Sequence, residues 1–156
     1  MKHSVKILSR KAATHLIEQG FPKNAAVISF YDPQSRRTPA GYAPMDYSPV
    51  CHRVFYVEIH DIDIEVLPEF GLTFQAYFPE ATELAKFIRD AVKDGCEILC
   101  QCEYGQSRSA ACAAAILEYY ARKGIRVFAD YRYYPNQLIF NKLLSALKKA
   151  GKEEYE

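Results

Sequence analysis

The sequence predicts an α/β domain: a central, mostly parallel sheet of about four to five strands, flanked by helices on both faces. Three observations carry this expectation. Short apolar runs alternate with stretches of helical periodicity along the whole chain. No repeat or low-complexity tract breaks the alternation. The chain has 156 residues, and domains cluster near ~100–150, so residues 1–156 are expected to form one unit.

Val5 to Leu8 is the first short apolar run. Ser9 then has the chemistry of an N-cap, and Ala12, Ala13, Leu16 and Ile17 repeat at helical spacing up to Gly20. Ala25 to Phe30 reads as a buried strand. From Tyr31 to Val50 the pattern dissolves: Pro33, Pro39, Pro44 and Pro49 punctuate a long connection that carries Arg36, Arg37, Tyr42 and Tyr47. Loops of this length are uncommon unless they serve function. The two arginines and two tyrosines fit either a wall that contacts substrate or a solvated surface. Arg53 to Ile59 is a strand with Phe55, Val57 and Ile59 on one side of the pleat and Val54 and Tyr56 on the other. Asp61 and Asp63 follow it directly.

Phe74 to Asp94 reads as the clearest helix. Phe78, Ala81, Leu84, Ala85, Ile88 and Val92 form one stripe, and Gly95 closes it. Glu97 to Gln101 is a short buried strand. An Ala-rich helix runs from about Ser107 to Lys123, with Gly124 as its stop. Ile125 to Pro135 is an aromatic, basic connection. There, Arg132 and its neighbouring tyrosines either frame a phosphate or cover the sheet edge. The last helix spans Asn136 to Ala150.

Composition excludes several classes. Hydrophobic residues are 49% and charged residues 25%, which fits neither a disordered tail, a coiled coil nor a collagen-like chain. The formal charge is only +1, so no domain-wide basic footprint for nucleic acid exists and no nucleic-acid partner is expected. The longest apolar run, Ala110 to Leu117, has eight residues, whereas a membrane helix needs ~20; no membrane partner is expected. Met1 to Glu18 is broken by Lys2, Lys6, Arg10 and Lys11 and does not read as a secretory signal. Cys51, Cys96, Cys100, Cys102 and Cys112 are odd in number and mostly crowded together. This favours reduced thiols in a cytoplasmic protein over a disulfide framework. Cys100 reads as a small core hydrophobe, and the spacings lack the paired Cys-x2-Cys pattern of zinc sites. No metal or other cofactor is expected.

The chemistry concentrates in Cys102-Glu103-Tyr104-Gly105-Gln106-Ser107-Arg108-Ser109, between a predicted strand and a predicted helix. Such a junction aims backbone N–H groups of the turn and of a helix N-terminus at one point, making an anion-binding nest. Gly105 permits the tight turn. Arg108 brings a planar fork that grips two phosphate oxygens at once. The same positive field favours the thiolate of Cys102. The expected product is a sulfur nucleophile at the floor of a cup that holds phosphate or sulfate.

CEYGQSRS resembles the Cys-x5-Arg-Ser/Thr signature loop of the cysteine-dependent protein tyrosine phosphatases, and is most similar to their dual-specificity branch. The resemblance extends to Val57-Glu58-Ile59-His60-Asp61, similar to the strand that enters the branch's general-acid loop. It takes in the helix from Tyr77-Phe78 to Ile88, and Tyr134-Pro135-Asn136, similar to the Pro-Asn segment that steadies the signature loop. It covers about Val54 to Ala150, while residues 1–50 look more like small bacterial members. It implies a phosphatase fold and two-step hydrolysis through a phosphocysteine, without metal. Cys102 would be nucleophile, Arg108 the oxyanion clamp and Asp61 the general acid, with Asp63 in reserve. Ser109 would assist departure of the sulfur. Glu103, Tyr104, Gly105, Gln106 and Ser107 would form the walls of the substrate cup. The implied substrate is a phosphotyrosine protein, with phosphoserine and phosphothreonine as extensions, or a small aryl phosphate.

One position departs from the pattern: Gln101 stands where the family usually has His. Alternatives keep the cup and change its use. The same chemistry fits a phosphoinositide or nucleotide, although the loop interior carries no cation and Glu103 adds a negative charge. A phosphate-binding module without turnover would lack the nucleophile or the acid, and both are present here.

Overall fold

The computed structural model describes residues 4–34 and 43–154. Four strands, β1 (Val5–Leu8), β2 (Ala25–Tyr31), β3 (Val54–Glu58) and β4 (Glu97–Gln101), form one sheet. Their order is β1-β4-β2-β3, and every neighbouring pair is parallel. The helices are α1 (Arg10–Gln19), α2 (Ala81–Lys93), α3 (Arg108–Ala121), the short α4 (Ile125–Phe128) and α5 (Gln137–Glu153). The expected α/β architecture is present, with four strands.

The pleat sorts the core into two layers. Ile28, Ile98 and Cys100 face α2, α3 and α5, where Leu84, Ile88, Ile116, Ile139 and Leu143 complete the larger core. Val27 and Leu99 point the other way and pack with Ala13 of α1, Met45 and Tyr47. Such alternation follows from the two-residue side-chain period of a strand. Helix α3 is buried from Arg108 through Ile116, which its run of alanines allows by letting neighbouring elements approach closely. Ser9 caps α1 by accepting from the Ala12 N–H at 3.0 Å, as expected. Cys100 and Cys112 are both fully buried here. Burial, with the hydrogen bond to Cys100, pushes the Cys112 thiol well up, so the pair behaves as core hydrophobes.

Two boundaries differ from expectation. The helix predicted from Phe74 starts only at Ala81. Pro79 lacks an N–H for the preceding turn, and Phe78 takes a positive φ of 62°, which a helix does not allow. Residues 74–77 instead form a turn clamped by the Lys142 ammonium, which donates to the Phe74 and Tyr77 carbonyls. The apolar stripe is real all the same: Phe78 sits in the core against Phe30 without being helical. Gly124 does not end α3. Arg122, at φ 55°, turns the chain out, its N–H donating to the Glu118 carbonyl and the Lys123 N–H to the Leu117 carbonyl, and Gly124 precedes α4.

Candidate active site

The C-terminal edge of a parallel sheet is where α/β proteins bind ligands. Here β1, β2 and β4 all end on one such edge. Leu8 pairs with Gln101, and Ser29 pairs with Gln101 from the other side. The turn after β4 lies beside Ser9 and Arg10 and runs into α3. The Cys102 N–H donates to the Leu8 carbonyl at 3.2 Å, and the Arg10 N–H to the Glu103 carbonyl at 3.0 Å.

The loop carbonyls are taken from outside. Tyr134 N–H donates to Gln106 O at 2.8 Å, and Asn136 N–H to Ser107 O at 3.2 Å. A trans peptide sets each N–H opposite the preceding carbonyl. Carbonyls of Glu103, Gln106 and Ser107 held outward therefore turn the N–H groups of Tyr104, Ser107 and Arg108 to the opposite side of the loop. Gly105 is required twice over. Its φ is +67°, and a Cβ there would lie 2.7 Å from Ser9 N.

Cys102 and Arg108, both buried, stand at the two ends of this turn. Cys102 Sγ lies 3.0 Å from Ser109 Oγ. Arg108 Nη1 donates to Asp32 Oδ1 and to the Ile59 carbonyl, each at 2.8 Å. Both hydrogens of that nitrogen are thereby used. Among the described residues, none offers a hydrogen-bond partner to the buried Arg108 Nε. A buried cationic donor left unmatched is costly, and an acceptor at this edge of the fork would relieve that cost.

Asp61 comes to the same loop. Its Oδ1 accepts from Ser107 Oγ at 2.7 Å and from Asn136 Nδ2 at 3.0 Å. Asn136 does more than steady the signature loop. Its Nδ2 also donates to the Ile62 carbonyl at 2.9 Å, and its Oδ1 caps α5 by accepting from Ile139 N–H. The Tyr77 hydroxyl donates to the His60 carbonyl at 2.6 Å. Burial pushes this phenol far above its ordinary value, so it stays a donor. The segment carrying Asp61 is thus tied down at His60, Asp61 and Ile62. Asp63 is not drawn to the signature loop in this way; its carbonyl accepts from Val66 N–H. A cleft of about 520 Å³ opens beside the cup between Asp61–Val66 and Tyr134–Gln137.

Directly before Cys102 lies Gln101, 1% exposed. Its Nε2 donates to the Cys102 carbonyl at 3.0 Å, while its Oε1 accepts from Ser29 Oγ at 2.6 Å and from the Tyr47 hydroxyl at 2.7 Å. Burial raises the Tyr47 phenol well above its usual range. A hydrogen-bonded amide thus occupies the position where the resembled family usually has His.

Other expected residues separate. Tyr104 and Gln106 are exposed on the rim. The Glu103 carboxylate is paired with Arg10 at 2.8 Å, so its charge is largely neutralised. Arg132 pairs with Asp130 at 2.7 Å and lies over the Tyr133 ring. Arg36, Arg37 and Tyr42 lie outside the described residues. Sequence reasoning missed Asp32, Ser29, Arg10 and Tyr77. Asp32 had a usable signal: like Asp61, it is a carboxylate directly after a parallel strand. Among the described residues no group of three His, Cys, Asp or Glu side chains is placed to hold a metal, and no helix is long and apolar enough to cross a membrane.

No family model and no curated protein matches this chain. Solved structures do match. Human DUSP28 superimposes with a TM-score of 0.56 at 17% identity, covering 97% of this chain and 96% of its own. DUSP15 gives a TM-score of 0.59 at 18% identity, covering 99% and 93%. PTPMT1 in complex with PI(5)P gives 0.54 at 13% identity, covering 98% and 96%. A four-stranded parallel sheet with this helical layer, matched over nearly the full length of each, is the fold of the cysteine-dependent dual-specificity phosphatases.

Proposed function

We propose that this protein is a metal-independent phosphomonoester hydrolase that acts on phosphotyrosine proteins, and on phosphoserine or phosphothreonine by extension, through a phosphocysteine. One observation carries the reading: the buried Nε of Arg108, without a hydrogen-bond partner among the described residues, shares the turn after β4 with a buried thiol. The fold of the neighbouring structures supports it. Reduced thiols, all five of them free, fit a cytoplasmic setting.

In the first step the Cys102 thiolate attacks phosphorus, the P–O ester bond breaks, and Asp61 gives its proton to the leaving oxygen. Two donors occupy Asp61 Oδ1, so Oδ2 is the oxygen that carries the proton. Arg108 and the loop N–H groups take up the charge growing on the equatorial oxygens. In the second step water attacks the phosphocysteine, Asp61 receives its proton, and the S–P bond breaks to return the thiolate. Ser109 Oγ, 3.0 Å from the sulfur, donates to the departing anion. The positive field comes from Arg108 and the backbone, so the chemistry calls for no metal.

A second reading is a non-protein phosphate such as a phosphoinositide. It is favoured by the Arg10–Glu103 pair, which removes the charge argument against a polyanionic substrate, and by the likeness to PTPMT1 in complex with PI(5)P. Against it stand Asp61, Asp63 and Glu65, the carboxylates lining the cleft beside the cup. Turnover of phosphopeptides, phosphoinositides and nucleotides in the presence of a chelator decides between them. Phosphopeptide turnover highest in the panel is expected; phosphoinositide turnover alone would establish the second reading, and no hydrolysis of any of them would refute both.

The acid assignment has its own test. Asp61→Asn should lose about 10²–10⁴-fold in kcat on a poor aryl leaving group, the usual worth of general acid catalysis. It should lose far less on an activated aryl phosphate whose leaving group needs no proton. Equal losses on both substrates, or none, would move the role to Asp63 or elsewhere.

A further inference from the structure

Both described ends of the connection between β2 and β3 reach the residues that flank the signature turn. At its start Asp32 accepts from Arg108 Nη1 at 2.8 Å. At its far end the Tyr47 hydroxyl donates to Gln101 Oε1 at 2.7 Å. Arg10 adds a third tie, donating to the Ala43 carbonyl and pairing with Glu103. We infer that Asp32 and Tyr47 are positioning residues of the reaction: Asp32 fixes which edge the Arg108 fork presents, and Tyr47, with Ser29, fixes the amide that holds the Cys102 carbonyl. This inference rests on the phosphatase reading of the cup.

The amide's orientation follows from its partners. The Cys102 carbonyl can only accept, so the side of Gln101 facing it is Nε2. Oε1 then faces Ser29 and Tyr47, and both hydroxyls must donate. Ser29 is delivered by register, since it pairs with Gln101 across β2 and β4. Tyr47 is delivered by burial: it is 0% exposed, packed with Leu99 and Val27. Three buried polar side chains are thereby satisfied by one another. Removal of the Tyr47 hydroxyl leaves one donor on Oε1, and the amide gains freedom to swing away from the nucleophile's peptide. Displacements of ~1 Å at a reacting centre cost about a hundredfold in rate.

Asp32 has two conceivable effects with opposite signs. It would compete with phosphate if it occupied the edge that receives the anion. It would orient the fork if it held the other edge. The contacts decide: Asp32 and the Ile59 carbonyl saturate Nη1, whereas Nε is buried and partnerless among the described residues. The bidentate edge that includes Nε is left for oxygens of the substrate. Asp32 therefore orients.

The test compares wild type with Tyr47→Phe, Ser29→Ala, Asp32→Ala and Asp32→Asn on a good and a poor aryl phosphate, with orthovanadate affinity measured by titration. Tyr47→Phe should lower kcat about tenfold on both substrates alike with KM little changed, because the nucleophile and not the acid is displaced. Ser29→Ala should do the same, and it serves if the tyrosine variant fails to fold. Asp32→Ala should weaken vanadate binding about tenfold, while Asp32→Asn, which keeps an acceptor for Nη1, should restore most of it. The Asp32 side chain is 38% exposed, and circular dichroism checks that both Asp32 variants are folded before they are compared. Unchanged kcat in the folded Tyr47 and Ser29 variants, or vanadate bound as well or better by Asp32→Ala, would overturn the inference. A wild type that binds vanadate but hydrolyses no ester would instead overturn the phosphatase reading, and the vanadate comparison would still judge Asp32.

Discussion

Serine in place of Cys102 should abolish turnover, by about a millionfold in kcat, the scale on which loss of a catalytic nucleophile acts. The swap keeps size and hydrogen-bonding shape but replaces sulfur with a far weaker oxygen nucleophile. The cup itself should survive. Arg108 is anchored on Asp32 and the Ile59 carbonyl, not on the sulfur, and the loop carbonyls are held by Arg10, Tyr134 and Asn136. Cys102→Ser should therefore retain phosphopeptide binding, measurable by titration, with hydrolysis undetectable. Residual turnover within tenfold of wild type would place the nucleophile elsewhere.

Alanine at position 105 should produce the largest loss of folding stability of any single methyl addition in the cup. A non-glycine residue held at φ +67° costs ~1–2 kcal/mol. The added Cβ would also lie 2.7 Å from Ser9 N and 2.9 Å from Leu8 C. Both are backbone atoms of the β1–α1 junction, which cannot step aside as a side-chain tip would. Overpacking of this kind costs ~1–3 kcal/mol, for a total of about 2–5 kcal/mol. Urea denaturation measures it. Vanadate affinity should fall with it, because the loop can relieve the clash only by moving its N–H groups off the anion site. Wild-type stability and affinity in Gly105→Ala would mean that the loop does not press on the start of α1.

The parts of the molecule legible in the sequence are those set by local pattern. Ala25 to Phe30 and Glu97 to Gln101 read as buried strands because continuous apolar runs of that length suit a sheet covered on both faces, and both are strands. The Cys102–Ser109 turn was legible because its chemistry and its strand–helix context fall within one short segment. The error at Phe74–Glu80 has a physical cause. Core burial alone imitates helical periodicity there, while Pro79 and the positive φ of Phe78 forbid the helix. The supporting residues were not legible for a different reason. Ser29, Asp32, Tyr47 and Tyr77 reach the site across strand register and long connections, and no spacing in one chain encodes such a meeting. Gln101 illustrates both cases. Its departure from the family pattern was visible, whereas its compensation by two buried hydroxyls became visible only once β2 lay beside β4.

The most direct test is to quench the protein in acid during turnover of an activated aryl phosphate and map the phosphorylated residue by peptide mass spectrometry, using Asp61→Asn to slow the water step. Phosphate attached to the sulfur of Cys102, formed at a rate matching the release of the first equivalent of phenol, is the expected result. Steady release of phenol with no phosphorylated peptide, or with the label on any other side chain, would contradict it.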